Sequence, residues 1–64
     1  MIRANGKEID IGVKSVNEYL IDAGYDINRV AVEINGEILP KLKYGSTQLE
    51  DGDVVEVVSF VGGG

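Results

Sequence analysis

Apolar and polar residues alternate through Ile2-Arg3-Ala4 and again through Glu8-Ile9-Asp10-Ile11, on either side of Asn5-Gly6. A period of two is that of a strand with one face buried. Asn-Gly between two such runs predicts a hairpin, because both residues accept the positive φ of a type I′ turn. Ile2 and Ala4 then share one face of the first strand, and Ile9 and Ile11 one face of the second, with Glu8 and Asp10 outside. The period changes at Ser15. Val16, Tyr19, Leu20 and Ala23 follow i, i+3, i+4, i+7 spacing, which predicts a helix of about nine residues with one apolar stripe. Ser15-Val16-Asn17-Glu18 fits a capping box at its start, and Gly24 fits a left-handed stop at its end. So short a helix is unstable alone and must pack on a sheet.

Alternation resumes at Arg29–Ile34, with Val30, Val32 and Ile34 pointing one way. Asn35-Gly36 predicts a second hairpin into Glu37-Ile38-Leu39, ended by Pro40, which has no N–H to give to a ladder. Lys41 to Gln48 reads as a surface excursion around Gly45, and Tyr19, Tyr25 and Tyr44 as amphipathic residues at the core boundary. Leu49 is the expected core anchor ahead of a tight turn at Glu50-Asp51-Gly52-Asp53. Val54 to Val61 is the last and most β-prone run, and Gly62-Gly63-Gly64 follows it. The order is ββαββ with a final strand, an α+β arrangement in which one mixed sheet of four to five strands packs on one helix. The first and last strands are expected to lie side by side and parallel at the centre of that sheet.

Sixty-four residues make one domain. A chain of this size buries only about 60% of its unfolded surface, which leaves little room for a deep catalytic cleft. There is no cysteine and no histidine, so a thiol nucleophile, a thiolate metal site and the commonest neutral-pH base are all missing. Eleven acidic residues against six basic ones argue against a nucleic-acid partner, which demands a basic patch. No apolar run approaches the roughly 20 residues of a membrane span, and no signal peptide is visible, so a cytoplasmic location and no membrane partner are expected. Asp51-Gly52-Asp53 resembles the start of a calcium loop, but the glycine is misplaced and the closing glutamate is absent, so no metal site is expected.

Chemistry concentrates in the tail. Residues 62–64 carry no side chains to pack, so the domain reads as 1–61 with a flexible glycine tail at 62–64. An end without Cβ atoms can thread a narrow slot and bring the Gly64 carboxylate to another protein's active site, with Gly62 and Gly63 lying in that slot. The triplet is not a phosphate loop, since no helix follows it.

Asn35-Gly36-Glu37-Ile38-Leu39-Pro40, Leu49-Glu50-Asp51-Gly52-Asp53 and a valine-rich strand ending Phe60-Val61-Gly62-Gly63-Gly64 resemble the ThiS family of sulfur carriers in thiamine biosynthesis. The resemblance covers the whole chain. It departs from the family at Gln48, where proline is frequent, and at Tyr44, where tryptophan is frequent. The resemblance implies a ubiquitin-like β-grasp fold and a carrier that is not itself an enzyme and binds no cofactor. It further implies that an E1-like, ThiF-type activating enzyme uses ATP and magnesium to adenylate Gly64. A persulfide donor such as a cysteine desulfurase then supplies sulfur, and the thiocarboxylate delivers it to a ThiG-type thiazole synthase. Two alternatives share parts of this pattern. One is the small subunit of molybdopterin synthase, with the same terminal chemistry but usually a longer chain. The other is an interaction module of the TGS type, which has the Asn-Gly hairpin and the Asp-Gly-Asp turn but does not end in glycine.

The last strand also predicts a docking patch. Glu56 is costly to bury unpaired, which assigns residues 54, 56, 58 and 60 to solvent and Val55, Val57 and Val61 to the core, with Ser59 near its rim. Val58 and Phe60 are then exposed directly before the glycines, over a floor at Ala31 with Arg29 and Glu33 beside it. A bulge near Ser59 would instead turn Phe60 into the core.

Overall fold

A computed structural model describes residues 1–60. The tail assigned to Gly62–Gly64, and Val61 with its expected core position, lie outside the described residues. The chain forms β1 (Ile2–Ala4), β2 (Lys7–Ile9), α1 (Val16–Asp22), a 3-10 turn at Ile27–Arg29, β3 (Val30–Ile34), β4 (Glu37–Leu39), a second 3-10 turn at Lys41–Lys43, and β5 (Val54–Ser59). The sheet order is β2-β1-β5-β3-β4. β5 is thus central, parallel to β1 and antiparallel to β3, while both hairpins are antiparallel.

Local chemistry accounts for the element boundaries. Asn5 and Gly6 have φ of 49° and 82°, and Asn35 and Gly36 have 53° and 84°, so both turns hold the conformation that a tight hairpin needs. The Ser15 hydroxyl accepts from the Glu18 N–H at 3.1 Å, and the Glu18 carboxylate accepts from the Ser15 N–H at 3.0 Å, which closes the capping box. At the other end Gly24 (φ 86°) donates to the Ile21 carbonyl and Tyr25 to the Leu20 carbonyl, the paired bonds of a Schellman stop.

The helix lies against the sheet through Val16, Tyr19 and Leu20. These pack with Ile2, Ala4, Val30, Val32, Val55 and Val57 from the three central strands. Some side chains differ from expectation. The helix has seven residues, and Ala23, as its C-cap, is exposed and outside the core stripe. β2 ends at Ile9, so Ile11 packs against the core from the following loop rather than from the strand. β3 starts at Val30 because residues 27–29 close a 3-10 turn capped by the Asp26 side chain. Tyr44 is 3% exposed and belongs to the core rather than its boundary, as does Tyr19. The reason is the path of the excursion. It folds back over α1, where the Tyr44 carbonyl accepts from Asn17 N–H, the Thr47 carbonyl accepts from Val16 N–H, and Ser15 bridges Gln48. Leu49 is buried at the end of this segment, as expected.

Candidate functional site

β5 runs through the middle of the sheet toward the glycines, so the elements at its exit define the site. On one side stands the Asn5-Gly6 turn of the first hairpin. On the other stands the 3-10 turn ending at Arg29, whose carbonyl accepts from Phe60 N–H at 2.7 Å. That bond continues the β3·β5 ladder past the last strand residue and holds Phe60 in line with β5.

The register of β5 settles which side chains face outward. Ala31 pairs with Val58, Val32 with Val57, Glu33 with Glu56 and Ile34 with Val55, without interruption by a bulge. Val55 and Val57 are buried, and Val58 and Phe60 are 55% and 57% exposed. Val54 and, opposite Glu33 on β4, Ile38 are exposed on the same outer face. Ser59, expected at the core rim, is exposed. The outer face therefore carries an apolar strip, Val58 and Phe60 over Ala31, leading to the tail. Beside the strip two like charges, Glu33 and Glu56, sit directly opposite each other, an arrangement that costs stability in an isolated sheet.

Two residues read from the sequence only as turn formers do more. The Asn5 side chain accepts from Val57 N–H at 2.8 Å and donates to the Val57 carbonyl at 3.2 Å, while its own N–H bonds the Val55 carbonyl. It thus replaces the residue that β1 lacks after Ala4. Asn35 does the corresponding work across the sheet, accepting from Val54 N–H at 2.9 Å and donating to Asp53 at 3.0 Å. Each turn amide therefore ties β5 to a hairpin. The only available sign in the sequence is that asparagine, which both donates and accepts, stands where glycine or aspartate would also satisfy the turn. Asn5→Gly keeps the positive φ but removes the two side-chain bonds to Val57 and a longer one to the Tyr25 hydroxyl at 3.4 Å. It should cost about 1–3 kcal/mol, measurable by urea denaturation, from the lost bonds and the added chain freedom.

Elsewhere the surface offers little chemistry. An open depression of about 390 Å³ is lined by Ile34, Asn35, Glu37, Ile38, Leu39 and Thr47. By register it lies at the opposite end of β3 from the exit of β5. Among the described residues no group of three or more acidic side chains is placed to hold a metal ion, and no helix is long and apolar enough to cross a membrane. The tail positions Gly62, Gly63 and Gly64 lie outside the described residues.

Comparison with known proteins gives a consistent picture. A model described as the ThiS family matches residues 2–64. The chain is 38% identical to the sulfur carrier protein ThiS of Bacillus subtilis over 68 aligned positions, covering all of both chains. It is 43% identical over 61 residues to a thiazole synthase of Paramagnetospirillum magneticum, covering 94% of this chain but only 19% of that much longer one. The crystal structure of the thiamine biosynthesis protein ThiS from Geobacter metallireducens superposes with a TM-score of 0.78 at 34% identity, covering 98% of this chain and 97% of that one. That likeness is of the same β-grasp fold: five strands around one helix, with the first and last strands parallel.

Proposed function

Because this chain belongs to the ThiS family, it is a sulfur carrier of thiamine biosynthesis, and we propose that the sulfur rides on the carboxylate of Gly64. The observation that carries this reading is the family match running through the glycines that follow β5 and the exposed Phe60 next to it. A carboxylate, with a pKa near about 3.5, is an anion at neutral pH and a poor electrophile. It needs activation that this chain's residues do not supply. In the proposed sequence a Gly64 oxygen attacks the α-phosphorus of ATP on a ThiF-type enzyme, magnesium neutralising the phosphates, and pyrophosphate leaves. A persulfide sulfur from a cysteine desulfurase or related donor then attacks the acyl carbon and AMP leaves. A thiol attacks the donor-side sulfur of the resulting S–S bond, forming a disulfide with the donor cysteine and releasing the thiocarboxylate, which a ThiG-type thiazole synthase consumes. The carrier acts as a co-substrate in the cytoplasm, and its partners are the catalysts. Gly62 and Gly63 serve as the threadable approach to the reacting carbon.

The test is intact mass spectrometry after incubation with activating enzyme, ATP, magnesium and a persulfide donor. Replacement of one oxygen by sulfur at the C-terminal residue is the expected product. An unchanged mass with an activating enzyme competent on another carrier would overturn the reading.

Val58 and Phe60 are the proposed docking residues. An exposed aromatic beside an aliphatic, adjoining the reactive end, has the composition of an interface centre. Phe60→Ala should weaken binding to the activating enzyme or thiazole synthase by at least about tenfold, on the scale of an interface hot spot. Because the ring is more than half exposed, thermal unfolding should barely move. A loss of several kcal/mol of folding stability with partner affinity intact would show the ring to be structural instead.

A further inference from the structure

Hydrogen bonding along the two sides of β5 is unequal. Phe60 N–H bonds Arg29 and Asn35 N–H bonds Val54, so the even-numbered residues of β5 direct their backbone groups to β3. The odd-numbered residues direct theirs to the β1 side. There the Asp53 carbonyl takes Arg3 N–H, the Val55 carbonyl takes Asn5 N–H, and both groups of Val57 are taken by the Asn5 side chain. Ser59 is the next residue in this series. β1 has ended at Ala4, Asn5 has spent its amide on Val57, and no described residue bonds Ser59 N–H or carbonyl on that side. Ser59 is an exposed residue. Beyond the Asn5-Gly6 turn, then, the central strand has, among the described residues, a short unpaired edge at Ser59.

We propose that this edge at Ser59 is a β-augmentation site, filled when an extended segment of thiazole synthase lies in line with β1 beyond Asn5. The inference rests on the carrier reading above. An N–H and a carbonyl at strand spacing are matched by an extended backbone, which fixes the chemistry of the occupant. Sheet edges left bare are otherwise blunted by charge or proline, and Ser59 carries neither. The choice of partner rests on the P. magneticum chain, in which a segment like this one shares a polypeptide with a thiazole synthase. One backbone pairing at Ser59 would orient the strand so that the following glycines enter the partner along a single line, while the exposed Phe60 supplies apolar contact.

Amide hydrogen exchange on the full chain, alone and with purified thiazole synthase, tests this. In the free protein Ser59 N–H should exchange fast and Phe60 N–H, bonded to Arg29, slowly. In the complex Ser59 should become protected by on the order of tenfold or more. Ser59→Pro removes that N–H while leaving every bond to β3, since the 30–59 pair does not exchange hydrogen bonds. The variant should bind thiazole synthase at least about tenfold more weakly. Retained Phe60 protection would show that β5 is intact in it. If the complex forms and Ser59 still exchanges as in the free protein, or is protected only by the activating enzyme, the edge proposal fails and the carrier reading stands. If the wild-type chain neither binds thiazole synthase nor accepts sulfur, both fail. Should the proline variant not fold, the exchange of wild-type Ser59 decides alone.

Discussion

A chain ending at Gly63 is expected to lose thiocarboxylate formation while unfolding at the same temperature as the full-length protein. On the proposed reading the reacting group is the α-carboxylate of Gly64, which no side chain can replace. Removing one residue draws the carboxylate back by about 3.3–3.6 Å along an extended chain. Misplacement by even about 1 Å can cost roughly a hundredfold in a positioned reaction, so loading should fall below detection. Stability should stay within about 0.5 kcal/mol, since glycine at this position brings no side chain to the core. The measurements are intact mass after loading and a thermal melt on the same sample. The remaining Gly62-Gly63 pair gives the shortened chain a fair chance to prove otherwise. Loading of that chain at the wild-type rate would mean that the reaction tolerates a shift of one residue and that the third glycine is a spacer.

Leu20→Ala should produce the complementary result, in which activity is lost because the fold is. Leu20, on the face of α1 that packs on the central strands, is fully buried and is the largest such side chain among the described residues. Truncating a buried leucine costs about 2–5 kcal/mol, from lost transfer energy and the cavity left behind. A domain of this size has only about 3–10 kcal/mol in total, at the usual stability per residue. The midpoint of thermal unfolding should therefore fall by more than about 10 °C, since each kcal/mol shifts so small a domain by about 4–8 °C. Loading, assayed well below that midpoint, should recover. A melt within a few degrees of wild type would mean that the site collapses around the cavity. The pair of variants separates the two tasks of the proposed carrier: one tests the terminal glycine as the reacting group, the other the packed sheet and helix as the source of stability.

The features that the sequence by itself determined are those whose causes lie within a few residues. Asn5-Gly6 and Asn35-Gly36 make tight turns because both positions need positive φ, and these residues supply it wherever they stand. Ser15 and Glu18 cap the helix, and Gly24 stops it, through bonds that span three to five positions. The facing of β5 was also legible, because one charged residue, Glu56, fixes the parity of its neighbours, and Val58 and Phe60 are accordingly exposed. The likeness to the ThiS family was legible without any coordinates, and the family match over residues 2–64 bears it out. Other features were decided only by tertiary structure, because their partners lie far apart in the chain. The parallel pairing of β1 with β5 was expected from the layout as a whole, but it joins residues about fifty positions apart and its register came only with the fold, since an alternating pattern carries no information on which strand it will meet. Tyr44 becomes core only because the excursion folds back over α1, and Ala23 leaves the core because the helix ends one residue before it and leaves it as the C-cap. The Asn5 and Asn35 amides could be seen as turn residues but not as clamps on β5, since a side chain's second bond depends on what the fold brings beside it. The bare edge at Ser59 has the same origin. It exists because β1 ends four residues into the chain while β5 runs on, a mismatch in strand length that appears only once the two lie side by side.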